Sequence, residues 1–138
     1  MAAGGNTLGV EVLTPEGEIF SGDVEQVSTR TVGGEIGILA NHVPILAALE
    51  PAELRLRLSD GETRRYAQAH GWLEVFGNHA LILVEEAIDP DALDSAALEE
   101  QVRDAEARLA EAEPRSGAAS RAQRDLHRAR AFLKLTNR

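Results

Sequence analysis

The spacing of apolar residues changes once along the chain, near Pro90. Before it, the period is two. Leu54, Leu56 and Leu58 alternate with Arg55, Arg57 and Ser59, and Leu8, Val10 and Val12 alternate in the same way. Successive strand side chains point to opposite faces, so this pattern predicts strands with one buried and one wet face. Turn signals recur at short intervals: Pro15-Glu16-Gly17, Ser21-Gly22, Gly33-Gly34, Ser59-Asp60-Gly61 and Gly77-Asn78. Ser59-Asp60-Gly61-Glu62 reads as a hairpin turn between two strands. Leu81-Ile82-Leu83-Val84 is apolar without alternation, which predicts a central strand. Many short strands with frequent turns predict an antiparallel sandwich or barrel.

After Pro90 the period is helical. Leu98, Val102, Ala105, Leu109 and Ala112 form one seam; Ala119, Ala122, Leu126, Ala129 and Leu133 form a second. Asp94 is placed to cap the first helix. Glu113-Pro114-Arg115-Ser116-Gly117 stops it and turns the chain. Each helix is expected to be roughly 30 Å long at 1.5 Å per residue. The short link makes them antiparallel neighbours. The fold class is therefore mixed, β then α. The domains are 1–89, a β-sandwich, and 90–138, a two-helix hairpin.

Charge sharpens the division. The 138 residues hold 14 Lys plus Arg and 23 Asp plus Glu, a net charge of -9. Residues 1–90 contribute 5 basic and 14 acidic side chains, while residues 91–138 have 9 of each. Within the hairpin, residues 94–113 carry seven acids and two Arg. Residues 118–138 carry six bases (Arg121, Arg124, Arg128, Arg130, Lys134 and Arg138) against Asp125. Antiparallel packing lays these opposite charges side by side, although exposed pairs contribute little. The seams are rich in alanine, which buries little area. The hairpin is thus marginal alone and able to exchange partners. The acidic total opposes nucleic-acid binding, and the acidic helix cancels the field of its basic neighbour.

Little catalytic chemistry is legible. There is no cysteine, hence no disulfide, thiolate zinc site or cysteine nucleophile. His42, His70, His79 and His127 lack metal-ligand spacing. Val32-Gly33-Gly34-Glu35-Ile36-Gly37 lacks the Lys-Ser/Thr of a phosphate loop and opens no predicted helix. The longest apolar run, Val43–Leu49, is seven residues, against about 20 for a membrane span. The first six residues show no signal-peptide pattern and are expected to fray. The residues point to a non-enzymatic module that works through its surfaces.

One stretch carries a resemblance. Gly34-Glu35-Ile36-Gly37-Ile38-Leu39-Ala40-Asn41-His42-Val43-Pro44-Ile45-Leu46 resembles the hallmark loop of the epsilon subunits of F-type ATP synthases. Phe20-Ser21-Gly22 and Gly71-Trp72-Leu73-Glu74-Val75 resemble two further marks of that family, the latter preceded by a second glycine in the family pattern. The resemblance runs from about Leu8 to the C-terminus. It implies a β-sandwich of about ten strands followed by two helices, set in the central rotor stalk. It implies partners: the gamma subunit, the ring of c subunits, and the alpha and beta subunits in an inhibited state. Its activity would be to couple c-ring rotation, driven by proton transport, to ATP synthesis, without bond chemistry of its own. The hairpin of the family can inhibit ATP hydrolysis. Glu35 matches the acid that approaches the c ring and His42 the histidine near gamma. Arg121, Arg124, Arg128 and Arg130 are the candidates for an inhibitory contact with beta. Some members bind ATP through a motif of Asp, two variable residues, Arg and Ala. Here Ala97 stands in place of that Arg and Leu98 in place of the Ala, so ATP binding is expected to be weak or absent and no cofactor is implied. The implied location is peripheral, on the cytoplasmic face of a bacterial cell membrane or the stromal side of a plastid thylakoid.

Overall fold

The structure, a computed structural model, describes residues 6–136. The expected fraying of the first residues falls mostly on 1–5, and Arg138 of the basic set on the last two; both lie outside the described residues. The chain divides into two compact units between Ile88 and Asp89, one residue before the boundary read from the sequence.

Among the described residues the first unit holds eight strands: β1 (Leu8–Thr14), β2 (Gly17–Val24), β3 (Gln26–Thr31), β4 (Gly34–Leu39), β5 (Ile45–Leu49), β6 (Ala52–Arg57), β7 (Thr63–Val75) and β8 (His79–Ile88). The sandwich expected from the sequence is present, with eight described strands where about ten were expected. The cause of the difference is the length of β7, 13 residues, and β8, 10 residues. The first half of β7 pairs with β6 and the second half with β5. One layer is therefore β2-β1-β8-β7-β5 and the other β4-β3-β6-β7-β8, the end of β8 following the first half of β7. All pairings are antiparallel except β1 with β8, which is parallel, a departure from the purely antiparallel expectation. Alternation places Val10, Val12, Ile82, Leu73, Leu54 and Leu56 in the core, each 0–1% exposed. The hairpin at Ser59-Asp60-Gly61 joins β6 to β7 as its turn residues predict.

β7 passes between layers at His70-Gly71. His70 adopts a left-handed backbone, φ 58°. Gly71 lies so close to β8 that a Cβ there would sit 1.8 Å from the Leu83 carbonyl oxygen. Just before this corner the buried Gln68 Nε2 donates to the Glu50 carbonyl at 2.6 Å and to Thr29 Oγ1 at 3.2 Å. That amide joins β7 to β3 and to the β5–β6 connection, and so fixes where the strand changes layer.

The second unit begins with a 3-10 turn at Pro90–Ala92, then α1 (Ser95–Glu111) and α2 (Gly117–Leu135). At 1.5 Å per residue they are about 26 and about 28 Å long. The Asp94 carboxylate accepts from the amides of Ala96 and Ala97 and caps α1, and Ser116 caps α2. Leu98, Ala105, Ala122, Leu126 and Ala129 are buried as the seams require. The last turn of α2 departs from the reading: Phe132 is fully buried, whereas Leu133 is half-exposed. Phe132 lies three residues past Ala129, so a helical stripe admits it as readily as Leu133.

Candidate interaction site

The outer face of the first layer is apolar where a solvated sheet would be polar. The register lays Ala48, Trp72, Leu83 and Leu13 in one row across β5, β7, β8 and β1. The neighbouring row is Leu46, Glu74, Leu81 and Glu11. Leu46 is 68% exposed, Trp72 53% and Leu83 44%. At the end of the same sheet Phe76 is 71% exposed, and Val43 in the β4–β5 loop is 70% exposed. An exposed patch of contiguous large apolar side chains marks a contact surface. The unbroken run Leu81–Val84 predicts a central strand. β8 does lie centrally, between β1 and β7, but only Ile82 and Val84 face the core. The missing alternation reflects an apolar outer face, and the run was its signal.

Glu35 and His42 lie at opposite ends of β4. The stretch read as one loop is mainly strand, with only 40–44 between β4 and β5. Glu35 is the second residue of β4, directly opposite Arg30 of β3, and the two side chains are 3.5 Å apart. From Glu35 to Leu39 is about 13 Å of strand at 3.3 Å per residue, and His42 lies beyond. The structure therefore makes two surfaces of them. His42 Nδ1 donates to the Val43 carbonyl at 2.7 Å, which orders the loop. Asn41 beside it, with φ 63°, donates its amide to Asn78 Oδ1 at 2.7 Å. Asn78 Nδ2 in turn donates to the Thr7 carbonyl at 3.0 Å. One side chain of the β7–β8 turn thus ties the His42 loop to the start of β1, a role that no sequence motif announced.

The four candidate arginines of α2 differ in their engagements. Arg130 Nη2 meets Glu106 Oε2 of α1 at 2.8 Å. Arg128 Nη1 donates to Gln101 Oε1 at 3.0 Å, and its guanidinium covers the Phe132 ring at 4.6 Å. Arg121 and Arg124 are exposed. A fifth arginine, Arg108 of α1, bridges Asp104 at 2.9 Å and Asp125 of α2 at 2.8 Å. Its hydrogen bonds to Asp125 and then Asp104 raise its pKa further above the ordinary arginine value. Opposite charges do lie side by side in this hairpin. Ala97, in the first turn of α1, is exposed, and its amide is already engaged by Asp94.

Among the described residues no group of three or more His, Cys, Asp or Glu could hold a metal ion, and no helix is long and apolar enough to cross a membrane. Fold and surface together define a class: a small β-sandwich with an appended helical hairpin, its distinctive chemistry displayed on outer faces. Residues 7–90 match the family described as ATP synthase, Delta/Epsilon chain, beta-sandwich domain. The chain is 40% identical over 104 residues to the ATP synthase epsilon chain of Persephonella marina, covering 75% of this chain and 76% of that one. It is 38% identical over 108 residues to the epsilon chain of Bacillus licheniformis, covering 78% and 82%. The chain belongs to the ATP synthase epsilon chain family. The fold is shared with a chain of the Euglena gracilis mitochondrial ATP synthase OSCP/F1/c-ring assembly, with TM-score 0.80, 20% identity and coverage of 91% and 79%. It is shared also with a chain of the central stalk/c-ring assembly of the Tetrahymena thermophila mitochondrial ATP synthase, with TM-score 0.65, 19% identity and coverage of 93% and 95%.

Proposed function

We propose that this chain is a non-catalytic subunit of the central stalk, coupling c-ring rotation, driven by proton transport, to ATP synthesis in the catalytic head. The observation that supports this reading is the exposed apolar row through Ala48, Trp72 and Leu83, on a chain of this family. Such a face suits a permanent contact, here with the gamma subunit. The His42 loop borders it and extends that contact. The β3–β4 turn with Glu35 meets the polar loops of the c ring. The complex so formed lies peripherally on the cytoplasmic face of a bacterial cell membrane.

The hairpin acts as a brake. In the inhibited state α2 leaves α1, and Arg121, Arg124, Arg128 and Arg130 meet an acidic surface of the beta subunit, with alpha adjacent. The thin alanine seam and solvent-exposed ion pairs keep that exchange within reach. ATP is not held tightly by the hairpin. Ala97 supplies no cation, and the amides that could cradle a phosphate are bonded to Asp94.

Co-purification tests the first claim. The tagged full chain should retain gamma and c-ring-containing membranes; loss of both would overturn the assignment. Arg124→Ala with Arg128→Ala should raise ATP hydrolysis by the assembled enzyme, and unchanged hydrolysis removes the brake while leaving coupling in place. Calorimetric titration of the isolated chain should give no sub-millimolar ATP affinity.

A further inference from the structure

The β3–β4 turn carries a second charge beside Glu35. Arg30 faces Glu35 across the two strands, and its Nη1 donates to Glu35 Oε2 at 3.5 Å. The side chains are 52% and 82% exposed. Between them the chain turns on a stiff mount. Thr31 Oγ1 donates to the Gly34 carbonyl at 2.9 Å and accepts from the Gly33 amide at 3.1 Å. Gly34, at φ 123°, takes a backbone conformation that L side chains rarely adopt. Val32 stands at the apex, 67% exposed. The tip therefore offers a cation, an anion and an apolar knob in fixed relation.

A guanidinium has five N–H donors in a rigid fork. Among the described residues the Arg30 side chain uses one of them, in that long contact with Glu35. A partner that brought only a cation to Glu35 would leave two positive charges within about 8 Å of each other, two ion-pair contacts end to end. Their repulsion would grow as docking excluded water. A partner that also brought an acceptor to Arg30 would replace one weak internal pair by two charge-assisted hydrogen bonds.

We propose that Arg30 is a specificity-determining residue of this docking tip, and that the protein loop it recognises pairs a cation with an adjacent carboxylate or amide oxygen. The proposal rests on reading Glu35 as a contact residue, and the experiment separates the two. Full-length chains carrying Arg30→Gln, Glu35→Gln or both are titrated onto c-ring-containing membrane vesicles reconstituted with the remaining stalk and head subunits. Apparent affinity, its salt dependence and protons pumped per ATP are read together. Each single change should weaken docking about tenfold and flatten the salt dependence, while thermal unfolding of the free chain stays unchanged because both side chains are exposed. If Glu35→Gln weakens docking and Arg30→Gln leaves it unchanged or tightens it, the mixed-charge proposal is overturned and the Glu35 contact stands. If Glu35→Gln has no effect, the contact reading itself fails, and the proposal with it.

Discussion

Asn78 shows how much one side chain can organise. Its backbone is left-handed, φ 60°, and its amide holds both the Asn41 N–H and the Thr7 carbonyl. Asn78→Gly keeps the backbone but removes both hydrogen bonds, at about 1 kcal/mol each. Asn78→Ala adds about 1 kcal/mol for a Cβ in the left-handed region. Urea unfolding should therefore rank Ala below Gly by that margin, and equal midpoints would contradict the account. Gly71 is stricter still. Its missing Cβ leaves room for the Leu83 carbonyl, and backbone does not yield as a side chain would. Gly71→Ala should lose about 3 kcal/mol or fail to fold; a variant within 1 kcal/mol of the parent would show that the close approach is not rigid. Gly71 belongs to a stretch that carries the family resemblance, but nothing in that stretch marked a close approach of two strands. That His70 takes a left-handed conformation there was not legible, because the reason lies in a strand that must change layers.

The hairpin is held by small contacts of several kinds. Alanines let the helices approach; Arg108 and Arg130 bridge them; Phe132 fills the last turn of α2 beneath Arg128. Since Arg108 is held above an already high pKa, raising pH does not release its bridge, whereas added salt weakens it. Hydrogen exchange on the free chain should find the amides of α1 and α2 opening before those of β7 and β8, and sooner in high salt. Uniformly strong protection across both units would remove the basis for a brake. Phe132→Ala should cost about 3 kcal/mol, seen as helical circular dichroism lost at lower temperature. The two helices, the Asp94 cap and the turn at Pro114 were legible because each depends on neighbours within one or two turns. The burial of Phe132 was not, since two adjacent apolar residues serve a helical stripe equally well and packing chooses between them.

The sandwich displays an exposed apolar face on one layer and a charged tip at its β3–β4 turn. Trp72→Glu changes a half-exposed side chain, so the isolated chain should fold while retention of gamma falls at least about tenfold. Full retention would place the contact elsewhere. Local periodicity was enough to read strands before Pro90 and helices after it, composition showed the change of charge, and a resemblance to a family, which the family match bears out, marked the stretch Gly34–Leu46. These are properties of short spans, settled by side-chain alternation and turn chemistry. Folding in three dimensions supplied the rest: the parallel pairing of β1 with β8, the corner in β7, the row that joins residues 13, 48, 72 and 83, and the separation of Glu35 from His42. Pairing register between strands remote along the chain follows from which faces pack together, and packing is a property of the assembled core that no single stretch contains.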